Sequence, residues 1–282
     1  MAESARRFSA VGACIYCGAS GDSARLSDEH IVPYALNGKG ILPAASCSDC
    51  AKETAKFEGR LTRGVFLPIR LQGNFRTRRP KERPSKLPMY DVVEGGFAPI
   101  NPEYVPIDMY PAFHTLPEFE RPGILAGEEP AGEFKNVRLH AWWPPDLQSR
   151  LGHLKAAGMK KKSLSGFLFN DFVRLIAKIA HGVAVANYGH ASFHPFLLET
   201  ILNRSTSAAY YIGGTGERLP EKENETHRVT TAIHHVDEKV LLVVTIRLFA
   251  FMHPPAPIYV VVAGEFPPRT FFDLGMGNPC SA

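Results

Sequence analysis

Apolar positions follow a helical period in two stretches of this chain and a strand period in several others. From Gly166 to Asn187, Leu168, Phe172, Leu175, Ile176, Ile179, Val183 and Ala186 recur three and four apart, which predicts a helix with one apolar face. From Asp49 to Arg63, Cys50, Thr54, Phe57, Glu58 and Leu61 share one side in the same way and predict a shorter helix. His194-Pro195 predicts the start of a third, running to Leu202, because proline is tolerated in a first turn. Residues His227–His235 alternate, whereas Val240–Phe251 and Pro257–Gly264 are almost continuously apolar, as central strands are. Val236–Lys239 predicts the hairpin between the first two. Two helices on a small antiparallel sheet therefore make an α+β domain over residues 151–282.

The first part of the chain has a different grain. Leu26–Pro33 predicts a strand, Asn37-Gly38-Lys39-Gly40 a turn, and Leu42–Ser46 leads into the 49–63 helix, giving a ββα order. Between the two parts, twelve of the 23 prolines fall from Pro80 to Pro145, which excludes long regular elements there. Short β pieces are predicted at Met89–Val93 and Asn136–Trp142, and Tyr104, Tyr110, Phe113, Phe119, Trp142 and Trp143 are too many aromatics for disorder. The chain divides on this pattern into a unit over 1–87, an extended connector over 88–150 and the α+β domain.

Composition changes the picture in two places. The net charge of +4 conceals an imbalance, since residues 1–88 carry 15 Lys/Arg against 8 Asp/Glu and the remainder carries 17 against 20. A basic first part suits an anionic partner. Four of the five Cys form two C-x-x-C pairs, Cys14/Cys17 and Cys47/Cys50, while Cys280 reads as a free thiol. Paired spacing of this kind points to tetrahedral zinc in a reducing, cytoplasmic compartment and away from a disulfide scaffold. No apolar core follows the arginines of the first seven residues, so no secretory signal is expected, and no apolar run reaches eighteen residues, so no membrane span is expected.

Between the two cysteine pairs lies Asp28-Glu29-His30-Ile31-Val32-Pro33. The sequence C-x-x-C, E-H-I-V-P, C-x-x-C and helix resembles the HNH (ββα-metal) nucleases, over about the first sixty residues. The resemblance implies a ββα unit with structural zinc on Cys14, Cys17, Cys47 and Cys50. It also implies one catalytic divalent ion, Mg²⁺ or Mn²⁺, with Glu29 as a metal ligand and His30 as the general base for phosphodiester hydrolysis. The family position directly after the last Cys, usually Asn or His, is Ala51 here, which has no lone pair to offer. On a 49–63 helix, Thr54 and Glu58 lie three and seven positions after Ala51 and so on nearly the same face. Glu58 is expected to complete the divalent site with Glu29, its carboxylate being a hard oxygen ligand.

Residues Arg63, Arg70, Arg76, Arg78, Arg79, Lys81 and Arg83 form a basic run with Phe66 and Phe75 interleaved. This run is expected to contact phosphates, the alternative being a solvated linker. His181, His190, His194, His227, His234, His235 and His253 lie in the α+β domain without acidic partners at ligand spacing and read as structural or surface residues. Gly213–Gly216 reads as a turn and Lys160–Lys162 as a solvated run. The sequence thus points to a metal-dependent endonuclease acting on nucleic acid, DNA being the expected substrate. The alternative is a degraded, zinc-stapled module that binds nucleic acid or protein. The α+β domain is left as scaffold, substrate gate or surface for a protein partner or a second copy.

Overall fold

The computed structural model describes the chain except residues 1–4, 22–24, 92–99, 113, 131, 144–145, 157, 159–167, 206, 218, 221–224, 253 and 268–282. Cys280, Lys160–Lys162, Phe113, His253 and the ends of the predicted Met89–Val93 strand and Gly166–Asn187 helix lie outside the described residues.

Strands β1 (Arg6–Arg7), β2 (Ser27–His30) and β3 (Gly40–Ser46) form a three-stranded sheet with β3 in the middle. The β2–β3 pair is antiparallel, with Glu29 opposite Leu42 and His30 opposite Ile41, and its register shifts between Ser27 and Glu29. That irregularity leaves Ser27 and Asp28 both facing solvent and turns Glu29 inward. The turn before β3 requires its glycine: a Cβ on Gly38 would stand 1.8 Å from the Val32 carbonyl oxygen. Helix α1 (Ser48–Arg63) follows, burying Cys50, Thr54, Phe57 and Leu61. The predicted ββα order is present beside the cysteine cluster.

A short helix α2 (Leu67–Gln72) and a 3-10 turn over Pro80–Glu82 give the basic run more structure than a linker has. The proline-rich middle pairs into two small antiparallel sheets. Strands β4 (Lys86–Asp91) and β5 (Ile100–Pro106) make the first, and β6 (His114–Glu118) and β7 (Arg138–Trp142) the second, with helix α3 (Gly123–Ala126) between the latter two. Helix α4 (Leu147–Ala156) joins Leu154 to a small core of Leu87, Met89, Val105 and Tyr110.

Helix α5 (Phe169–Tyr188) is the predicted apolar helix, and it is buried from Asp171 to Val185 on every side. Five strands form the antiparallel sheet beside it: β8 (His194–Pro195), β9 (Ile212–Gly214), β10 (His227–Val236), β11 (Lys239–Leu248) and β12 (Tyr259–Phe266). Short helices α6 (Leu198–Ile201) and α7 (Ala208–Tyr211) complete the domain. The fold class is α+β, as the pattern predicts, and the hairpin between β10 and β11 closes with Val236 opposite Lys239.

Two readings differ: Gly213 and Gly214 belong to β9 and pair with Val260 and Tyr259 of β12 instead of forming a turn, and one helix boundary moves. His194-Pro195 opens no helix; it pairs with Gly264 and Glu265 of β12, and helix begins only at Leu198. Proline, lacking an N–H, fits an edge strand as well as a first turn. Gly264 permits the approach, since a Cβ there would lie 2.3 Å from the His194 carbonyl oxygen.

Side chains of the ββα unit and of the large sheet share one core with α5 between them. Phe66 meets Phe172 at 6.3 Å and Phe249 at 5.3 Å between ring centroids. Among the described residues no helix is long and apolar enough to cross a membrane.

Candidate functional site

The first knuckle is a turn closed by the Gly18 N–H donating to the Cys14 carbonyl at 2.8 Å, with Gly18 at φ 76°. The Ile15 N–H donates to Ala45 of β3 at 2.8 Å, so the knuckle is fastened to the sheet. Cys47 caps α1 and Cys50 lies in its first turn, where the helix N–H groups favour negative charge on sulfur. The four Sγ atoms all lie within 4.8 Å of one another, with those of Cys17 and Cys47 3.7 Å apart. A tetrahedral site with Zn–S bonds of about 2.3 Å sets sulfurs about 3.8 Å apart.

Burial raises the Cys14 and Cys50 thiols above their ordinary range. It opposes ionisation of Cys47 as well, yet hydrogen bonds from the Cys50 backbone and the neighbouring thiols bring Cys47 down to about 7. Four crowded sulfurs at a helix N-terminus fit a soft divalent cation. They are placed to hold zinc.

The predicted catalytic carboxylates also meet, but around an unexpected cation. Glu29 from β2 and Glu58 from α1 each place Oε1 2.8 Å from Nζ of Lys178, in the middle of α5. The same ammonium donates to the carbonyl of His30 and approaches that of Ile31 at 3.5 Å. Lys178 is fully buried, and two carboxylates outweigh the cost of its burial, so its pKa is pushed up to about 12. Burial raises Glu58 in turn, against the pull of Lys178.

His30 ends β2, half-buried, with Tyr34 edge-on at 5.7 Å. Burial lowers its pKa, and the charges of Lys178 and Arg78 lower it further, against Glu29 and Asp28. The imidazole is therefore neutral near pH 7. Asp28 points outward and pairs with Arg7 at 2.8 Å. Ala51 and Thr54 line the α1 wall of the same cleft, and Thr54 donates back to the Ala51 carbonyl at 3.2 Å.

That cleft, about 740 Å³, is bounded by β2, α1 and the basic run. It brings Arg63, Arg70, Arg78, Arg79 and Arg83 to the rim beside Glu29, His30 and Glu58, whereas Arg76 and Lys81 lie off it. The arginines differ in what they do. Arg70 donates to the carbonyls of Ala35, at 2.7 Å, and Thr62, and Arg83 donates to those of Arg70 and Leu71, at 3.0 and 3.2 Å. These two brace the segment. Arg76 bonds Asn37 and, with Arg78, stacks on Tyr34, the guanidinium carbons lying 5.5 and 5.4 Å from the ring centroid. Arg63, Arg78 and Arg79 are exposed at the rim.

Sequence reasoning missed Lys178 and the stripe to which it belongs. Asp171, Arg174, Lys178 and His181 recur at three, four and three along α5, a polar line on an otherwise apolar helix. Each meets another element: Asp171 meets Arg60, Arg174 lies over Phe57 at 4.6 Å, Lys178 meets the two glutamates, and His181 bonds the Ile15 carbonyl at 2.7 Å. The spacing was the available signal. No family model matches this chain, and a search of curated proteins and of solved structures finds no match to it.

Proposed function

We propose that the cleft binds nucleic-acid backbone and that His30 acts there as the general base for phosphodiester hydrolysis. The observation that carries this reading is the meeting of a half-buried His30 and exposed Arg63, Arg78 and Arg79 in one cleft beside the cysteine cluster. His30 takes a proton from the attacking water as oxygen joins phosphorus. The bond to the leaving oxygen breaks, and that oxygen leaves with a proton from solvent. Arginine charge at the rim offsets the charge gathering on the phosphoryl oxygens.

The divalent ion that the HNH resemblance implies does not fit the residues present. Its two carboxylates already hold an ammonium, and Ala51 supplies no donor. Among the described residues the four cysteines are the cluster of three or more His, Cys, Asp or Glu side chains able to share an ion.

The zinc-loaded protein, incubated with plasmid, single-stranded DNA and RNA, tests the proposal. Cleavage is expected to fall about 10²–10⁴-fold in His30→Ala. It should also fall as pH drops through a value below the ordinary 6.5 of histidine, because protonation disables the base. Ala51 and the Lys178 ion pairs favour a second reading, a zinc-stapled module that holds nucleic acid without cutting it. Binding without cleavage on all three substrates would decide for that module.

A further inference from the structure

We infer that the Lys178 ammonium is the resident cation of the Glu29–Glu58 pair, and that it excludes Mg²⁺ and Mn²⁺ from that place. An ammonium has three donors. Lys178 Nζ donates to the His30 carbonyl and, at 3.5 Å, to that of Ile31, and it lies 2.8 Å from both Glu29 Oε1 and Glu58 Oε1 as an ion pair. Four oxygens around one buried cation is the environment a hard metal ion would seek, and it is filled from α5.

Three physical facts keep a divalent ion out. Mg²⁺ needs oxygens at about 2.0–2.1 Å in near-octahedral order, so it cannot share these two carboxylate oxygens with a nitrogen 2.8 Å from each. A divalent ion beside an ammonium in a buried site meets like-charge repulsion that water does not screen. The ammonium also has no route of retreat: its side chain is 1% exposed and springs from the centre of a helix buried from Asp171 to Val185. Two carboxylates beside the ammonium favour its charged form.

Lys178 ties α5 to the end of β2. It grips the His30 carbonyl directly and, through Glu29, the neighbouring side chain, so α5 fixes the end of β2 that carries the imidazole. Its place between the carboxylates stands whether or not the cleft hydrolyses anything, because cation occupancy and cleavage are separate readouts.

Mn²⁺ titration of the full-length, zinc-loaded protein, followed by the paramagnetic signal of free Mn²⁺, tests the inference. The wild type is expected to show no saturable Mn²⁺ site. Lys178→Ala should gain one, and Glu58→Gln added to that variant should abolish it. A saturable site in the wild type that Glu29→Gln or Glu58→Gln removes would overturn the inference, as would a folded Lys178→Ala protein without the new site. Where Lys178→Ala does not fold, the wild-type titration with its two glutamate variants still decides. Loss of cleavage in any variant bears only on the hydrolytic reading above.

Discussion

Arg60 and Asp171 lie 111 residues apart in the chain and meet through two N–H···O bonds of 2.6 Å each. The pair is bidentate, which aligns α1 against the first turn of α5 and sets the rotation of the stripe that includes Lys178. Asp171 is almost fully buried while Arg60 remains about half exposed, so solvent screens part of the attraction. Asp171→Asn should lower unfolding free energy by about 1–2 kcal/mol. Arg60→Ala should do the same, and the double variant should lose less than the sum. Urea denaturation of the four proteins measures the coupling, and strict additivity would show the pair to be independent of each other.

Zinc content is the next expectation. Elemental analysis should find about one zinc per chain, held by four thiolates. Cys47→Ser removes a ligand at the N-terminus of α1, and should abolish zinc and loosen the ββα unit. Because the Ile15 carbonyl between the first two ligands accepts from His181 of α5, the loss should reach the larger domain as a lowered melting temperature. A zinc-free protein with unchanged melting would remove zinc from the account.

Local and long-range features were unequally legible in the sequence. Cys14, Cys17, Cys47 and Cys50 announce themselves because knuckle spacing is short, and the apolar face of α5 because its period is regular. Lys178 could not be placed, since its partner carbonyl on His30 is 148 residues away and nothing local marks the contact. His194-Pro195 misled because a proline in a first helical turn and a proline on an edge strand look alike until β12 is present to pair with. Within the basic run, Arg70 and Arg83 resemble Arg78 in sequence, yet they cap carbonyls while Arg78 is exposed. The difference arises from the close return of Ala35 and Leu71, which no residue pattern displays.

Acid should destabilise the fold through its buried histidines. His227 donates from Nε2 to the Leu36 carbonyl at 2.5 Å, and its Nδ1 accepts the Phe249 N–H at 3.2 Å. Both nitrogens are satisfied only in the neutral ring, and burial holds the folded pKa down to about 4. Between 6.5 and about 4 the unfolded chain therefore binds a proton that the folded chain refuses. The stability is complete above pH 6.5 and is lost as pH falls toward 4, by at most about 3 kcal/mol from this residue. His114, held down to about 3 against Trp142, adds to the same slope and continues it lower. His227→Gln should flatten the fall in urea midpoint between pH 7 and pH 5 without removing it. A wild type equally stable at both pH values would refute this account of the histidines.

The rim arginines should govern binding, and the bracing arginines should govern folding. Arg63, Arg78 and Arg79 are exposed around the cleft, so each is available to a phosphate and each phosphate neutralised releases counterions. Replacing all three with Ala should flatten the slope of log K against log salt on duplex DNA by about two to three units, while the melting temperature stays near that of wild type. Arg79 gives up an exposed ion pair with Glu82 at 3.2 Å, and Arg78 its stacking on Tyr34 and its charge near His30. Arg70→Ala behaves differently on this view. It strips donors from the Ala35 and Thr62 carbonyls beneath the segment, so it should lower the melting temperature as well as weaken binding. Titrations at several salt concentrations, run beside thermal melts, separate the two classes. A triple variant with the wild-type slope would mean that phosphates do not lie along this rim, and the cleft would then lose its claim to nucleic acid.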